Sequence, residues 1–280
     1  PSGDDIVVNR EIELLQKNGH EVCFYGKYND AIDKWSLLRK IKLFFEIPWS
    51  ISAQKELATI LEEQKYDIVH VHNIFPQFSI SIYETLKRFN LPFVHTLHDF
   101  RLFCANAFLF RNGRVCELCP TKHYLYSVKY RCFQNSLLKS IPSAFMIKYS
   151  KKNENTIHPD YYIVLTEFAK SKIVSFGVNP RRIFIKPNFI SEQLLSSKET
   201  RNYAAFVGRL SKEKGIDIIL KSLQAKKCKK IPIKVIGDGP LSLYVKQKIK
   251  EFGLKQIDIL GLKSHRDTIE YIKKARFLIM

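Results

Sequence analysis

Short apolar runs of strand length alternate along this chain with segments whose apolar residues recur at helical spacing. The run 203–207 is apolar or aromatic throughout. The segment after it carries Ile216, Ile219, Leu220 and Leu223, which is the i, i+3, i+4, i+7 spacing of one helix face. Because parallel strands need a crossover element between them, such alternation predicts an α/β protein with parallel sheets.

The same patterns predict the other elements. The strands are expected at Glu21–Gly26, Tyr66–Asn73, Pro92–Leu97, Tyr161–Leu165, Arg182–Lys186, Ile231–Ile236, Ile257–Gly261 and from Phe277. The helices are expected around Val8–Leu15, Trp35–Trp49, Ile82–Phe89 and Ser136–Lys152, and after Thr166, Pro240 and Ser264. This order predicts repeated strand, turn and helix units in both halves of the chain.

A polar stretch without periodicity, Ser191–Asn202, predicts a hinge. We therefore expect two Rossmann-like domains facing across a cleft, 1–190 and 200–280, with a cysteine-rich insertion at 100–135. The chain starts at Pro1 and ends at Met280 inside an apolar run, so we expect a piece of a longer protein. On that expectation the first strand of domain one and the end of domain two are missing.

The chain has 280 residues, 45% of them hydrophobic and 26% charged, as in globular proteins. No apolar run approaches the ~18 residues of a membrane span. The formal charge of +19 indicates anionic partners, although lysines on solvated helix faces would explain the same excess. Because there is no basic tail, RNA-binding aromatic signature or finger spacing, nucleic acid is disfavoured. A lipid-linked substrate at an anionic membrane surface agrees better with this charge.

Candidate anion chemistry lies where the 203–207 strand ends. Gly208 stops the strand, and Arg209 and Lys214 flank the start of the next helix. Helix N-termini and nearby cations favour phosphate, although two such cations could also be merely solvated. The turn Gly237-Asp238-Gly239 follows the next strand, and the carboxyl edge of a parallel sheet is where doubly wound folds bind ligands.

The run Phe206–Gly215, with Val235–Pro240 and Leu260-Gly261, resembles the donor half of the family 4 retaining glycosyltransferases of the GT-B fold. The resemblance extends over essentially the whole chain. It implies that Arg209 and Lys214 hold the diphosphate of a UDP- or GDP-sugar.

The resemblance also implies roles for residues outside that run. A loop at Gly3 approaches the donor diphosphate, and Leu262 lies beside the nucleotide base. Asn188 and the glycines at 208, 237 and 239, with Asp238, complete the expected donor site. Since the two glutamates that the family carries after the last strand are absent, we expect this fragment to turn over poorly or not at all.

His98 is the favoured functional residue of the first half, because it follows a predicted strand at its carboxyl end. It could donate a hydrogen bond to a sugar or phosphate, with Asp99 orienting it, or cap the strand structurally. The family resemblance, which places a histidine there facing the donor sugar, favours the functional role. His70 and His72 share one strand face, and because no third ligand is near in sequence we favour hydrogen bonding within the sheet over a metal site.

Four cysteines fall within the insertion, Cys104, Cys116, Cys119 and Cys132, spaced C-x11-C-x2-C-x12-C. One C-x2-C pair with two distant thiols suits a tetrahedral zinc site, with Arg111–Arg114 as the turn between ligands. Free thiols and disulfides remain as alternatives. Cys23 and Cys228 are interpreted as small apolar residues.

The segment Trp35–Trp49 is aromatic and basic, with Pro48 expected to end its helix. Such a helix could lie on an anionic membrane. It could equally be a core helix with a charged outer face, and we favour the core helix.

These observations together predict a cytoplasmic, membrane-peripheral hexosyltransferase that moves a sugar to a lipid-linked or polysaccharide acceptor with retention. No metal is required, because Arg209 and Lys214 neutralise the leaving diphosphate. A non-catalytic module docking on acidic lipid or nucleic acid is the alternative. A nucleotide-sugar epimerase or dehydrogenase is disfavoured, since no G-x-G-x-x-G follows a strand.

Overall fold

The computed structural model describes residues 3–152, 158–189, 201–225 and 231–279. The chain divides into two compact units, Pro1–Phe189 and Ile190–Met280. The predicted hinge lies outside the described residues except for its last two positions, and so does Cys228.

The first unit is a parallel sheet with helices between its strands. Its elements are α1 (Gly3–Lys17), α2 (Leu37–Glu46), α3 (Ile51–Glu63), β1 (Val69–Val71), α4 (Ser81–Arg88), β2 (Phe93–Leu97), β3 (Phe110–Arg111), β4 (Arg114–Val115), α5 (Leu118–Thr121), α6 (Tyr126–Lys129), α7 (Leu137–Lys152), β5 (Tyr161–Val164), α8 (Glu167–Ser175) and β6 (Ile183–Ile185). The strands lie in the order β1-β2-β5-β6, and each neighbouring pair is parallel. All four therefore end at one edge of the sheet.

Fully buried apolar side chains form the core of this unit, and they come from both the strands and the crossover helices. Tyr83 and Leu86 of α4 pack with Phe93 of β2, Val164 of β5 and Ile173 of α8. These buried residues lie on the apolar faces predicted for the strands and helices, which confirms the predicted position of the core.

The predicted strand Glu21–Gly26 is wrong. Residues 21–28 form no ladder, and Phe24 leaves 55% of its surface exposed. A β-strand exists only through hydrogen bonds to a neighbouring strand, and among the described strands the edge strand β1 pairs with β2 alone. The β-branched and aromatic content of 21–26 is therefore insufficient to make a strand.

The preference for a core helix at Trp35–Trp49 is also wrong. Ser36 caps α2 by accepting from the N–H of Arg39, and the helix ends at Glu46, two residues before Pro48. None of its residues is buried, and Leu38 is 79% exposed. The helix that follows, α3, was not anticipated from the sequence, and it packs against α4.

The second unit repeats the architecture in a smaller form. Its elements are β7 (Tyr203–Val207), α9 (Ile216–Ser222), β8 (Ile233–Ile236), α10 (Ser242–Glu251), β9 (Ile257–Gly261), α11 (His265–Lys273) and β10 (Ala275–Ile279). The parallel strands lie in the order β10-β7-β8-β9. Ile216 and Leu220 are buried against β7 and β8, which confirms the predicted core face of α9.

The insertion between β2 and α7 is a hairpin followed by two short helices. β3 and β4 pair antiparallel, and the turn between them, Asn112-Gly113, has positive φ values of 50° and 77°. Two such residues are the signature of a tight hairpin turn. In the described part of the chain, no helix has both the length and the apolar character that a membrane crossing demands.

Candidate functional site

Two loops of the second unit interlock at the carboxyl ends of β7 and β8. The N–H of Gly208 donates to Ile236 O (3.0 Å), and the N–H of Leu210 donates to Asp238 O (3.0 Å). The N–H of Leu241 returns a hydrogen bond to Leu210 O (2.9 Å). The two glycine turns predicted from the sequence therefore form one platform, which we call the glycine platform (residues 208–210 and 237–241).

The glycines are required because the two backbones touch. A Cβ on Gly237, whose φ is +133°, would lie 2.0 Å from Gly208 O. A Cβ on Gly239 would lie 2.6 Å from Leu210 O. Neither contact can be relieved by a rotating side chain, because the obstructing atoms belong to the backbone.

Arg209 and Lys214 flank this platform, and both are exposed. Burial works to raise the pKa of Glu213, but the Ser211 hydroxyl and the charges of Arg209 and Lys214 outweigh it and hold that pKa below its usual value. Both cations therefore lie within electrostatic reach of one carboxylate. Among the described residues neither forms an ion pair within 4.0 Å, so both can meet an outside anion.

Asp238 is occupied within its own turn. Its Oδ1 accepts from the N–H of Gly239 at 2.7 Å and from the hydroxyl of Ser242 at the start of α10. The Ser242 hydrogen bond, followed by the Gly239 N–H, lowers the pKa of Asp238. The carboxylate thus stabilises the turn. Leu262, which follows β9, is 77% exposed.

In the first unit, His98 follows β2 and joins a second cluster. Its Nε2 lies 3.0 Å from Nδ1 of His72, and its Nδ1 lies 3.7 Å from Oδ1 of Asp4 in α1. Gly3 begins α1, one residue before Asp4, so the structure places that predicted loop position close to His98. Asn188 is exposed two residues beyond Lys186, at the same edge of the sheet.

The predicted partner of His98 was the wrong carboxylate. Asp99 Oδ1 accepts from the backbone N–H of Arg101 at 2.8 Å, and burial raises the pKa of Asp99. The carboxylate nearest to His98 is instead that of Asp4. Asp99 is adjacent to His98 in sequence, but its carboxylate accepts a hydrogen bond within its own loop. The carboxylate of Asp4, in α1, faces the His98 imidazole instead.

Glu11, which the sequence reading missed, is at the centre of this cluster. Its side chain is 9% exposed, it forms an ion pair with Lys186 after β6, and Oε2 lies 3.5 Å from both Nδ1 of His70 and Nε2 of His72. The signal was present in the sequence. Position 11 shares the i, i+3, i+4, i+7 face with Val8, Ile12 and Leu15, and an acid on an apolar face needs a buried partner.

His72 and His95 are neutral near pH 7. Burial lowers the pKa of His72 to about 2, with His70 and His98 adding to the effect, and burial likewise lowers the pKa of His95 to about 3. His70 donates to or accepts from Thr96 Oγ1 at 2.7 Å, which is the hydrogen bonding within the sheet that we favoured.

A third ligand for the histidine pair is nevertheless present, contrary to the sequence reading. Ligand atoms of Glu11, His70 and His72 lie within 4.8 Å of one another. The Lys186 ammonium already neutralises Glu11 and would repel a cation there. We therefore interpret this group as a structural tie between α1 and the sheet.

Family comparison agrees with both halves of this description. The profile of Glycosyltransferase Family 4 matches residues 3–194, and that of Glycosyl transferases group 1 matches residues 189–280. The chain belongs to glycosyltransferase family 4.

Relatives of this family 4 chain are distant in sequence. The uncharacterized glycosyltransferase MJ1178 of Methanocaldococcus jannaschii is 23% identical over 282 residues, covering 99% of the chain and 68% of MJ1178. The apo lipopolysaccharide outer core galactosyltransferase WaaB superposes with a TM-score of 0.55 at 15% identity, covering 99% of the chain and 70% of WaaB. Anabaena Alr3699/HepE in complex with UDP-glucose superposes with a TM-score of 0.54 at 12% identity, covering 99% of the chain and 70% of HepE. The fold of both units is therefore that of the GT-B glycosyltransferases.

Proposed function

We propose that this family 4 glycosyltransferase moves a hexose from a UDP- or GDP-linked donor to a lipid-linked or glycan acceptor in bacterial surface glycan assembly, retaining the anomeric configuration. The observation that carries the proposal is the glycine platform, with two exposed cations unpaired among the described residues. The solved relatives named above, a lipopolysaccharide galactosyltransferase and a protein bound to UDP-glucose, support the substrate class.

The chemistry follows from where charge develops. As the bond between sugar and diphosphate breaks, the departing nucleoside diphosphate gains negative charge. Arg209 and Lys214 supply the positive charges that neutralise it. In this proposal the two side chains take the place of a divalent ion.

His98 is proposed to donate a hydrogen bond to the donor sugar. The contact of its Nε2 with His72 at 3.0 Å sets the ring's orientation before a ligand arrives, and its Nδ1, which is 3.7 Å from Asp4 and so beyond hydrogen-bond distance, is the atom proposed to donate to the sugar. Preorganised donors are worth more than ones that must turn, because the ordering cost has already been met.

Calorimetric titration of the chain with UDP, UDP-glucose and UMP, and with GDP, GDP-mannose and GMP, tests the donor proposal. We expect at least one diphosphate series to bind, and its monophosphate to bind at least about 10-fold more weakly, since one charge-assisted phosphate contact is worth roughly 1.5–3 kcal/mol. His98→Ala should weaken binding of the sugar nucleotide but leave the affinity for free UDP or GDP within about twofold of that of the unaltered chain. Equal affinity for mono- and diphosphates would contradict the proposal.

For the place of action, we propose that α2 docks on the anionic inner face of the cell membrane. Leu37, Leu38 and Phe45 expose between 71% and 79% of their surface, and Ile41 exposes 46%. Arg39, Lys40 and Lys42 are exposed on the same helix. An apolar face bordered by cations is the pattern of a helix lying in the headgroup region of acidic lipid.

Co-sedimentation with phosphatidylglycerol-containing and phosphatidylcholine vesicles checks this docking. Binding should require the anionic lipid and fall at least about fivefold in Leu38→Ser/Phe45→Ser, because burying each such side chain contributes roughly 1.5–3 kcal/mol. Leu243→Ser, which changes an equally exposed leucine of α10, is the matched control and should bind normally. Unchanged vesicle binding by the double variant would show that α2 does not contact the membrane.

A further inference from the structure

The fold gathers the four cysteines of the insertion into one group. Cys104 lies in the turn after β2, Cys116 follows β4, Cys119 lies in α5, and Cys132 follows α6. Cys119 and Cys132 belong to one buried cluster with Ile147 of α7. Cys119 packs with Ala105, the residue after Cys104, and Cys132 packs against the same cluster, so the fold brings the insertion's cysteines together from separate elements.

A cation also borders the group. The guanidinium of Arg111 in β3 lies 3.8 Å from the centroid of the Tyr130 ring, and Tyr130 is two residues before Cys132. The Arg111 Nε is buried without a hydrogen-bond partner among the described residues. Four thiolates around a divalent ion carry a net charge of −2, and an adjacent guanidinium would offset part of it.

We propose that Cys104, Cys116, Cys119 and Cys132 bind one structural zinc ion. The hairpin β3–β4 with its Asn112-Gly113 turn separates Cys104 from Cys116, and the C-x2-C pair of Cys116 and Cys119 supplies the second and third ligands. Tetrahedral sets of four thiolates at such spacings are typical of structural zinc. Each Cys–S–H loses its proton when it binds the metal, so four protons are released to solvent and no oxidant is needed.

Among the described residues no three of these sulfurs lie within 4.8 Å of one another, so metal binding requires thiols to turn. Cys104 Sγ now donates to Asn106 Oδ1 at 3.0 Å, and Cys119 Sγ lies 3.9 Å from Tyr124 O. Both are weak donors, so rotation about one bond in each residue costs little beside the gain of a metal bond. The ion would fasten the insertion to the turn that begins at His98, six residues before Cys104.

Zinc content of the chain, purified in reducing buffer without chelator and then reconstituted with ZnCl2, tests the proposal. We expect about one zinc per chain by mass spectrometry of the metal, and visible d–d bands of tetrahedral cobalt after exchange. Cys116→Ser should lower the zinc content at least about fivefold. Cys23→Ser, an exposed cysteine outside the group, should keep it.

Two measurements keep the test decisive if Cys116→Ser does not fold. Removing zinc from the unaltered chain with a chelator should lower its Tm by at least about 5 °C and free additional thiols for titration, and adding zinc should reverse both. Zinc near zero after reconstitution would overturn the proposal. A mass deficit showing disulfides among these cysteines in reducing buffer would overturn it as well.

Discussion

Arg209→Ala combined with Lys214→Ala is expected to weaken binding of the UDP- or GDP-sugar by at least about 100-fold. Two charge-assisted contacts to phosphate are lost at once, each worth roughly 1.5–3 kcal/mol. Both side chains are exposed, so the variant should fold normally. Calorimetric titration of the variant against the unaltered chain measures the change.

The matched control removes the same charge elsewhere in the unit. Lys221→Ala/Lys250→Ala changes two exposed lysines near the carboxyl ends of α9 and α10, away from the glycine platform, and should bind donor within about twofold. Binding to acidic vesicles or DNA should be nearly unchanged in both double variants. If donor affinity survives the first double change, the diphosphate does not bind at these cations, and the alternative of a general anion-binding module gains support.

Gly237→Ala is expected to destabilise the second unit by about 3 kcal/mol or more. The added methyl would meet Gly208 O at 2.0 Å, and the φ of +133° is unfavourable for alanine. The two loops would have to separate, so donor binding should fall together with stability. Urea unfolding followed by fluorescence, with donor titration at low temperature, measures both losses.

Gly253→Ala separates the clash from the backbone strain. Gly253 also has a positive φ, +61°, but a Cβ there meets nothing within 4 Å. Gly253→Ala should therefore lower the free energy of unfolding by only roughly 1–2 kcal/mol and leave donor affinity unchanged. Equal destabilisation by both substitutions would show that Gly237 is held by conformation alone and that the loops do not depend on their close approach.

Local periodicity was enough to predict most of the fold. The core face of α9, the start of α11 directly after Ser264 and the strands around His95 and Val235 depend on neighbours in sequence, and the structure confirms them. The turn at Asn112-Gly113 was likewise visible, because positive φ is encoded by residue type.

The errors all concern non-local information. Residues 21–26 have strand composition, but pairing depends on a neighbour that composition does not supply. The pattern of α2 is amphipathic, and amphipathicity does not say what covers the apolar face. Glu11 and Lys186 are 175 residues apart, so only the closed fold shows their contact.

That long separation affects the order of folding. While the chain is being synthesised, α1 leaves the ribosome well before β6, because the ammonium that compensates its buried acid is made 175 residues later. Until Lys186 is made, burying the unpaired Glu11 carboxylate would cost free energy, which disfavours packing of α1 against the sheet. Its docking, and with it the seating of Asp4 beside His98, therefore belongs to the last events of assembly in this unit.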